Sequence, residues 1–173
     1  EIADNTIVIY TTDNGYSTGA HGFGGKVLPY EEASRGPLLI YAPGTKSEGK
    51  KWRSKALVGN IDMAPTILDA AGLKIPKHMD GKSLLKIMNK ENTTVKDHQA
   101  IIQTWGENQT HSLSIVSDNY RYLYWFYGEG MEPKEELYHL SKDAFELQNL
   151  VSNPIFGKKL DYMRQLYDDF VAT

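Results

Sequence analysis

The 173-residue sequence has no cysteine, so disulfides, thiolate metal sites and a cysteine nucleophile are excluded from this chain. It has no surplus of positive charge either. Lys and Arg number 19 against 22 Asp and Glu, for a formal charge of −3, and no basic stripe is present. A phosphate backbone therefore has nothing to grip, and nucleic acid is not an expected partner. No apolar run approaches the ~20 residues a membrane span needs, and no charged, apolar and small-residue leader opens the sequence. What is present, 40% hydrophobic and 24% charged residues, is the composition of a globular protein of about one domain. The first residues, Glu1-Ile2-Ala3-Asp4-Asn5, read as the last turn of a helix running into a strand, the expectation for a piece of something longer.

Thr6-Ile7-Val8-Ile9-Tyr10 is a β-branched and aromatic run without polar alternation, which predicts a central parallel strand covered on both faces. A glycine-rich stretch from Gly15 to Gly25 follows. The stretch from Pro29 to Gly36, with Pro and acids early and Gly last, predicts a short helix. Pro37-Leu38-Leu39-Ile40-Tyr41 predicts a second strand, and Lys46 to Lys55 a solvated loop. Asp62 is placed to cap a helix through Ala71, with Met63, Ile67, Leu68 and Ala71 on one side and Gly72 as its stop. Strand, loop, helix, strand and helix together predict an α/β core over 1–90. Polar residues from Asn89 to Gln99 form a linker, and 91–173 reads as a small α+β subdomain. There Ser112 to Val116 and Tyr120 to Tyr127 flank Ser117-Asp118-Asn119 as an antiparallel hairpin, with Tyr120, Tyr122, Tyr124 and Phe126 on one face. A terminal helix starts at Asn153-Pro154 and carries Phe156, Leu160, Met163, Tyr167 and Phe170 as a packing stripe.

Asp13-Asn14-Gly15 directly after the first strand is the most informative feature. Ligands of open α/β sheets gather at the carboxyl ends of strands, so an acid and an amide there suit coordination. The competing reading is a hairpin turn, for which Asn-Gly is a strong signal, although no partner strand follows directly. A phosphate loop fails on spacing: the first Gly of that motif would fall at Ala20, and Val27 stands where a hydroxyl is required. What survives is a glycine-rich loop bringing His21 and Lys26 back towards the strand end that bears Asp13, a combination suited to binding an oxyanion. Carboxylate and amide oxygens are hard donors, so the pair favours Ca²⁺ over zinc, with Mg²⁺ second.

Several ordered motifs resemble the second half of a type I sulfatase. They are Thr6 to Gly15, Gly25-Lys26, Tyr30-Glu31-Glu32-Ala33-Ser34-Arg35-Gly36-Pro37-Leu38, Ala42-Pro43-Gly44, Asn60 to Gly72, Asp80 to Leu85, and Glu136-Leu137-Tyr138-His139-Leu140 with Asp143 and Glu146 to Leu150. The resemblance is strong to about residue 90, moderate to 152 and negligible in the last helix. It implies the carboxy-terminal part of an alkaline-phosphatase-like α/β sandwich plus a small α+β subdomain with antiparallel strands and a terminal helix. It also implies that Asp13 and Asn14 are calcium ligands, that Lys26 contacts sulfate, and that His21 stands near substrate. Arg35 lies in a family segment and reads as structural, paired with a nearby acid.

The family's nucleophile is a formylglycine made within C/S-x-P-x-R, and no such motif occurs here; Ser152-Asn153-Pro154-Ile155-Phe156 has Phe in place of Arg. The resemblance therefore implies a sulfate ester hydrolase, sulfated sugars among its substrates, whose formylglycine lies outside this chain. Alone the chain is expected to be inactive, its sheet completed by the missing amino-terminal half or by self-association. A phosphodiesterase or phosphonate monoester hydrolase of the same superfamily, and a non-catalytic binding or assembly module, are the competing readings. Trp105, His111, Tyr124, Trp125 and Tyr127 could stack on a sugar, but such spacing favours core packing. Asn92-Thr93-Thr94 and Asn108-Gln109-Thr110 match the glycosylation acceptor pattern. The family implies a periplasmic, secreted or lysosomal setting.

Overall fold

The computed structural model describes residues 2–26, 28–50, 52–90, 92–104, 111–126 and 132–172. Glu1, Trp105, Tyr127 and the Asn108-Gln109-Thr110 triplet lie outside the described residues. The elements, in chain order, are β1 (Val8–Thr11), β2 (Ser17–Thr18), β3 (Gly24–Gly25), α1 (Glu31–Ser34), β4 (Leu38–Tyr41), α2 (Met63–Ala70), α3 (Leu85–Asn89), β5 (His98–Thr104), β6 (His111–Ser117), β7 (Tyr120–Phe126), β8 (Lys134–His139) and α4 (Gly157–Val171). They fall into two compact units, Glu1–Asp13 with Pro37–Gln99, and Asn14–Gly36 with Ala100–Thr173.

In the first unit β1 pairs with β4, from Val8 opposite Tyr41 to Thr11 opposite Leu38. The pairing is antiparallel, which corrects the parallel arrangement predicted from the sequence. An apolar run reports faces suited to burial and carries no information on strand direction; direction follows from the connection. Here the connection, residues 12–37, carries the short β2–β3 ladder and the four-residue α1 and returns the chain antiparallel. Among the described residues nothing covers one face of this pair. Val8, Tyr10, Leu39 and Tyr41 share one face and are 52%, 63%, 61% and 45% exposed. The opposite face borders an apolar groove of about 430 Å³ lined by Ile7, Ile9, Ile67 and Met88.

Asp62 begins α2 but does not cap it as the sequence suggested. Its fully buried carboxylate accepts from the Gly59 and Lys82 amides at 2.8 Å each and pairs with Lys96 Nζ at 2.7 Å. The residues before α2 form a 3₁₀ turn, Asn60–Asp62, that leads straight into the helix, so the side chain is released to join three segments. Gly72 does stop α2, in the left-handed conformation at φ 68°, with the Leu73 amide reaching the Leu68 carbonyl.

The second unit holds a four-stranded sheet in the order β5-β6-β7-β8, with β6, β7 and β8 antiparallel in sequence. The hairpin predicted between β6 and β7 turns at Asp118-Asn119, between paired Ser117 and Tyr120. Alternation puts Tyr122 against Leu160, Met163 and Tyr167 of α4, the core of this unit, with Tyr120, Tyr124 and Phe156 packed around it. Asn153 opens the terminal helical segment as predicted, its side chain accepting from the Ile155 amide. The other face of β7 carries Arg121, Leu123 and Trp125. Leu123 and Trp125 form a second cluster with Tyr30 and Tyr138, so Trp125 is a core residue and no exposed sugar platform.

Candidate functional site

β1 ends in Thr11, and the Asn60 side-chain amide holds the Asp13 carbonyl at 2.9 Å, fixing the backbone just beyond the strand. The Asp13 side chain is exposed and accepts from the Thr12 hydroxyl at 3.2 Å. Asp13 is the last residue of that stretch of the first unit, and Asn14 the first of the second.

Within the second unit the chain next lies on α1. The Gly15 amide donates to the Ala33 carbonyl at 2.8 Å, and a Cβ at residue 15 would come within 2.0 Å of the Glu32 carbonyl oxygen, so only glycine fits. β2 and β3 form a two-rung ladder, Ser17 with Gly25 and Thr18 with Gly24, and the tip between them carries His21. His21 sits at φ 54°, a left-handed conformation uncommon outside glycine that histidine enters more readily than most residues. Its ring stacks on Tyr30 at 3.8 Å between centroids and 5° between planes. Its Nε2 is buried and has no hydrogen-bond partner among the described residues. Lys26, just past the ladder, is exposed and places Nζ 3.5 Å from Asn14 Oδ1, while its carbonyl accepts from Gln103 at 3.4 Å. Asn14, His21 and Lys26 thus share one glycine-rich segment, and the strand pairing of β1 is with β4 rather than with the residues after Asn14-Gly15.

The platform beneath this segment was not legible as a site. Arg121, 1% exposed, forms ion pairs with Glu31 at 2.5 Å and Glu146 at 3.0 Å, and also donates to the Ser34 hydroxyl and the Pro29 carbonyl. Glu146 in addition accepts from the Glu31 amide at 2.7 Å. Beside this hub, the Tyr30 and Tyr138 hydroxyls both donate to Glu136 Oε2 at 3.0 Å, and burial beside that carboxylate raises both phenols well above their ordinary range. The exposed Arg35 pairs with Glu31 at 3.1 Å, the nearby acid expected for it.

Burial lifts the Glu146 carboxyl to about 7; Arg121 and the Glu31 amide pull it down, but Arg121 is shared with Glu31, and Glu31 and Glu32 repel a second negative charge. A folded-state value above the unfolded one means the group favours folding at low pH and loses that contribution as pH climbs from about 4.5 to 7. The stability of this chain is expected to decline over that interval by up to about 3 kcal/mol from this group. Urea denaturation between pH 5 and 8 checks it: Glu146→Gln should flatten the dependence, and an unchanged slope in that variant would refute it.

A family model described as N-sulphoglucosamine sulphohydrolase, C-terminal, matches residues 19–170. The chain belongs to this sulfatase family. It is 32% identical over 164 residues to an arylsulfatase of Clostridium perfringens, covering 94% of this chain and 33% of the relative. It is also 32% identical over 172 residues to an N-acetylglucosamine-6-O-sulfatase of Bacteroides thetaiotaomicron, covering 96% of this chain and 30% of that one. A solved structure of a protein in complex with its substrate, D-glucosamine-2-N,6-O-disulfate, superposes with a TM-score of 0.85 at 28% identity, over 96% of this chain and 34% of the other. The chain therefore spans about a third of the length of the curated relatives it matches, their sulfatase carboxy-terminal region.

Among the described residues no group of three or more His, Asp or Glu side chains could hold a metal. The Asp13 and Asn14 side chains carry hard oxygens, the donor type expected of them from the sequence. Their chemistry fits calcium, and their number falls short of the six to eight ligands it takes. No described helix is long and apolar enough to cross a membrane.

Proposed function

We propose that this chain is the carboxy-terminal part of a calcium-dependent sulfatase that hydrolyses sulfate esters, sulfated sugars being the favoured class. The observation that supports it best is that Lys26 Nζ lies 3.5 Å from Asn14 Oδ1 within a glycine-rich segment that also carries His21, in a chain that belongs to a sulfatase family. The sugar preference draws on the substrate of the superposed structure, a disulfated glucosamine.

In this reading Lys26 donates from its ammonium to a sulfate oxygen, binding the group and offsetting charge as the ester bond breaks. His21, half-buried at the tip of the same segment, stands near substrate in this reading. Asp13 and Asn14 supply oxygens to Ca²⁺, which when bound acts as a Lewis acid on a sulfate oxygen. The formylglycine nucleophile and the other sulfate contacts belong to amino-terminal sequence outside these 173 residues. The same sequence would cover the open face of β1 and β4, where four large apolar side chains stand exposed. A periplasmic, secreted or lysosomal setting, where calcium is plentiful, accords with this reading.

The test compares an aryl sulfate with an aryl phosphate diester as substrates of a sulfatase polypeptide that contains this chain. The expected result is a kcat/KM higher for the sulfate ester by at least about 10²-fold, a difference of ~3 kcal/mol in transition-state binding. Preference for the diester would favour a phosphodiesterase, and turnover of neither would favour a binding module.

A further inference from the structure

Tyr30 is held on three sides by groups that no step of sulfate ester hydrolysis uses. Its hydroxyl is fixed by Glu136, which Tyr138 also grips. The residue before it gives its carbonyl to Arg121, and the residue after it gives its amide to Glu146 and its carboxylate to Arg121. The ring is 8% exposed and lies 6.2 Å from Trp125 and 6.1 Å from Tyr138, so it has little freedom to turn. On the face that remains lies the His21 imidazole, flat against it at 3.8 Å.

His21 has reason to leave. Its left-handed backbone is one that an unrestrained tip between Gly19 and Gly22 would leave by relaxing. Stacking on the Tyr30 ring opposes that relaxation. The buried Nε2 without a partner among the described residues means that the pose is not set by a hydrogen bond at that atom. The ring of Tyr30 is what sets it.

We infer that Tyr30 is a positioning residue: it fixes the half-buried His21 ring in the stacked conformation in which the ring meets substrate, and the Arg121 hub keeps Tyr30 in place. The role in turnover rests on the sulfatase reading above, whereas the placement of His21 does not, and the experiment separates the two. In the 173-residue chain, the His21 ring-proton resonances, assigned with a His21→Gln variant, should lie upfield from the stack. Tyr30→Leu should return them to the position of an unstacked imidazole, and Tyr30→Phe, which keeps the ring and deletes only the Glu136 bond, should leave them upfield and guards against simple misfolding. In the longer sulfatase polypeptide, Tyr30→Leu should lower kcat by about 10²-fold with KM nearly unchanged, the cost of a misplaced group near the reacting atoms, and Tyr30→Phe should restore most of it.

Resonances that stay put in Tyr30→Leu would overturn the placement. Resonances that move while kcat does not would overturn the positioning role and leave the sulfatase reading standing, as would a rise in KM alone. A wild-type polypeptide without sulfate ester turnover would overturn the sulfatase reading and the role in turnover with it, and the resonances would still decide what holds His21.

Discussion

Replacing Asp13 by Ala in a sulfatase polypeptide that contains this chain is expected to strip calcium and to lower sulfate ester turnover by about 10²–10³-fold. A Lewis acid at a reacting oxygen stabilises the transition state by several kcal/mol, and a shell of hard oxygens does not survive the loss of a carboxylate. Lys26→Ala should separate the two effects: a loss of similar size with calcium content preserved, because an ammonium contributes charge at sulfate and no donor to the metal. Metal analysis alongside steady-state kinetics reads both. Unchanged calcium and unchanged kcat/KM in Asp13→Ala would favour a mere turn at Asp13-Asn14-Gly15.

The second large effect concerns stability. Arg121→Met leaves Glu146 buried against Glu31 and Glu32 without its cation, and removing one partner of a buried ion pair costs about 3–5 kcal/mol. Whole domains hold only ~5–15 kcal/mol, so the second unit should unfold at markedly lower urea. The double variant Arg121→Met with Glu146→Leu should recover much of the loss, because an apolar pair of similar volume replaces a charge without a partner. A loss below about 1 kcal/mol in the single variant would show that the hub carries little of the fold.

How far the sequence foretold this follows from what each signal reports. Periodicity located the hairpin of β6 and β7 and the stripe of α4, because Tyr122, Leu160, Met163 and Tyr167 meet within one layer and spacing alone places them. Direction was misread at β1, whose apolar run carries no information on pairing, and the role of Asp62 was misread because capping preference is local while its partners Lys82 and Lys96 lie 20 and 34 residues on. Asn14, His21 and Lys26 were visible as residue types in a glycine-rich stretch, and the structure adds that Lys26 Nζ lies 3.5 Å from Asn14 Oδ1 and that His21 stacks on Tyr30. Arg121 was missed, since a single arginine in a tyrosine-rich strand reads as surface until the strand is placed. The signal available was its alternation with Tyr120 and Tyr122, which puts it on the opposite face, together with the acids of the Tyr30 to Ser34 and Glu136 to Leu150 motifs that contained its partners.

The most direct measurement of the central claim is a crystal structure of the longer sulfatase polypeptide with calcium and a bound sulfate ester. The account places Asp13 and Asn14 side-chain oxygens at about 2.3–2.6 Å from the ion and Lys26 Nζ within hydrogen-bond distance of a sulfate oxygen. An ion bound elsewhere, with these side chains turned to bulk water, would contradict it.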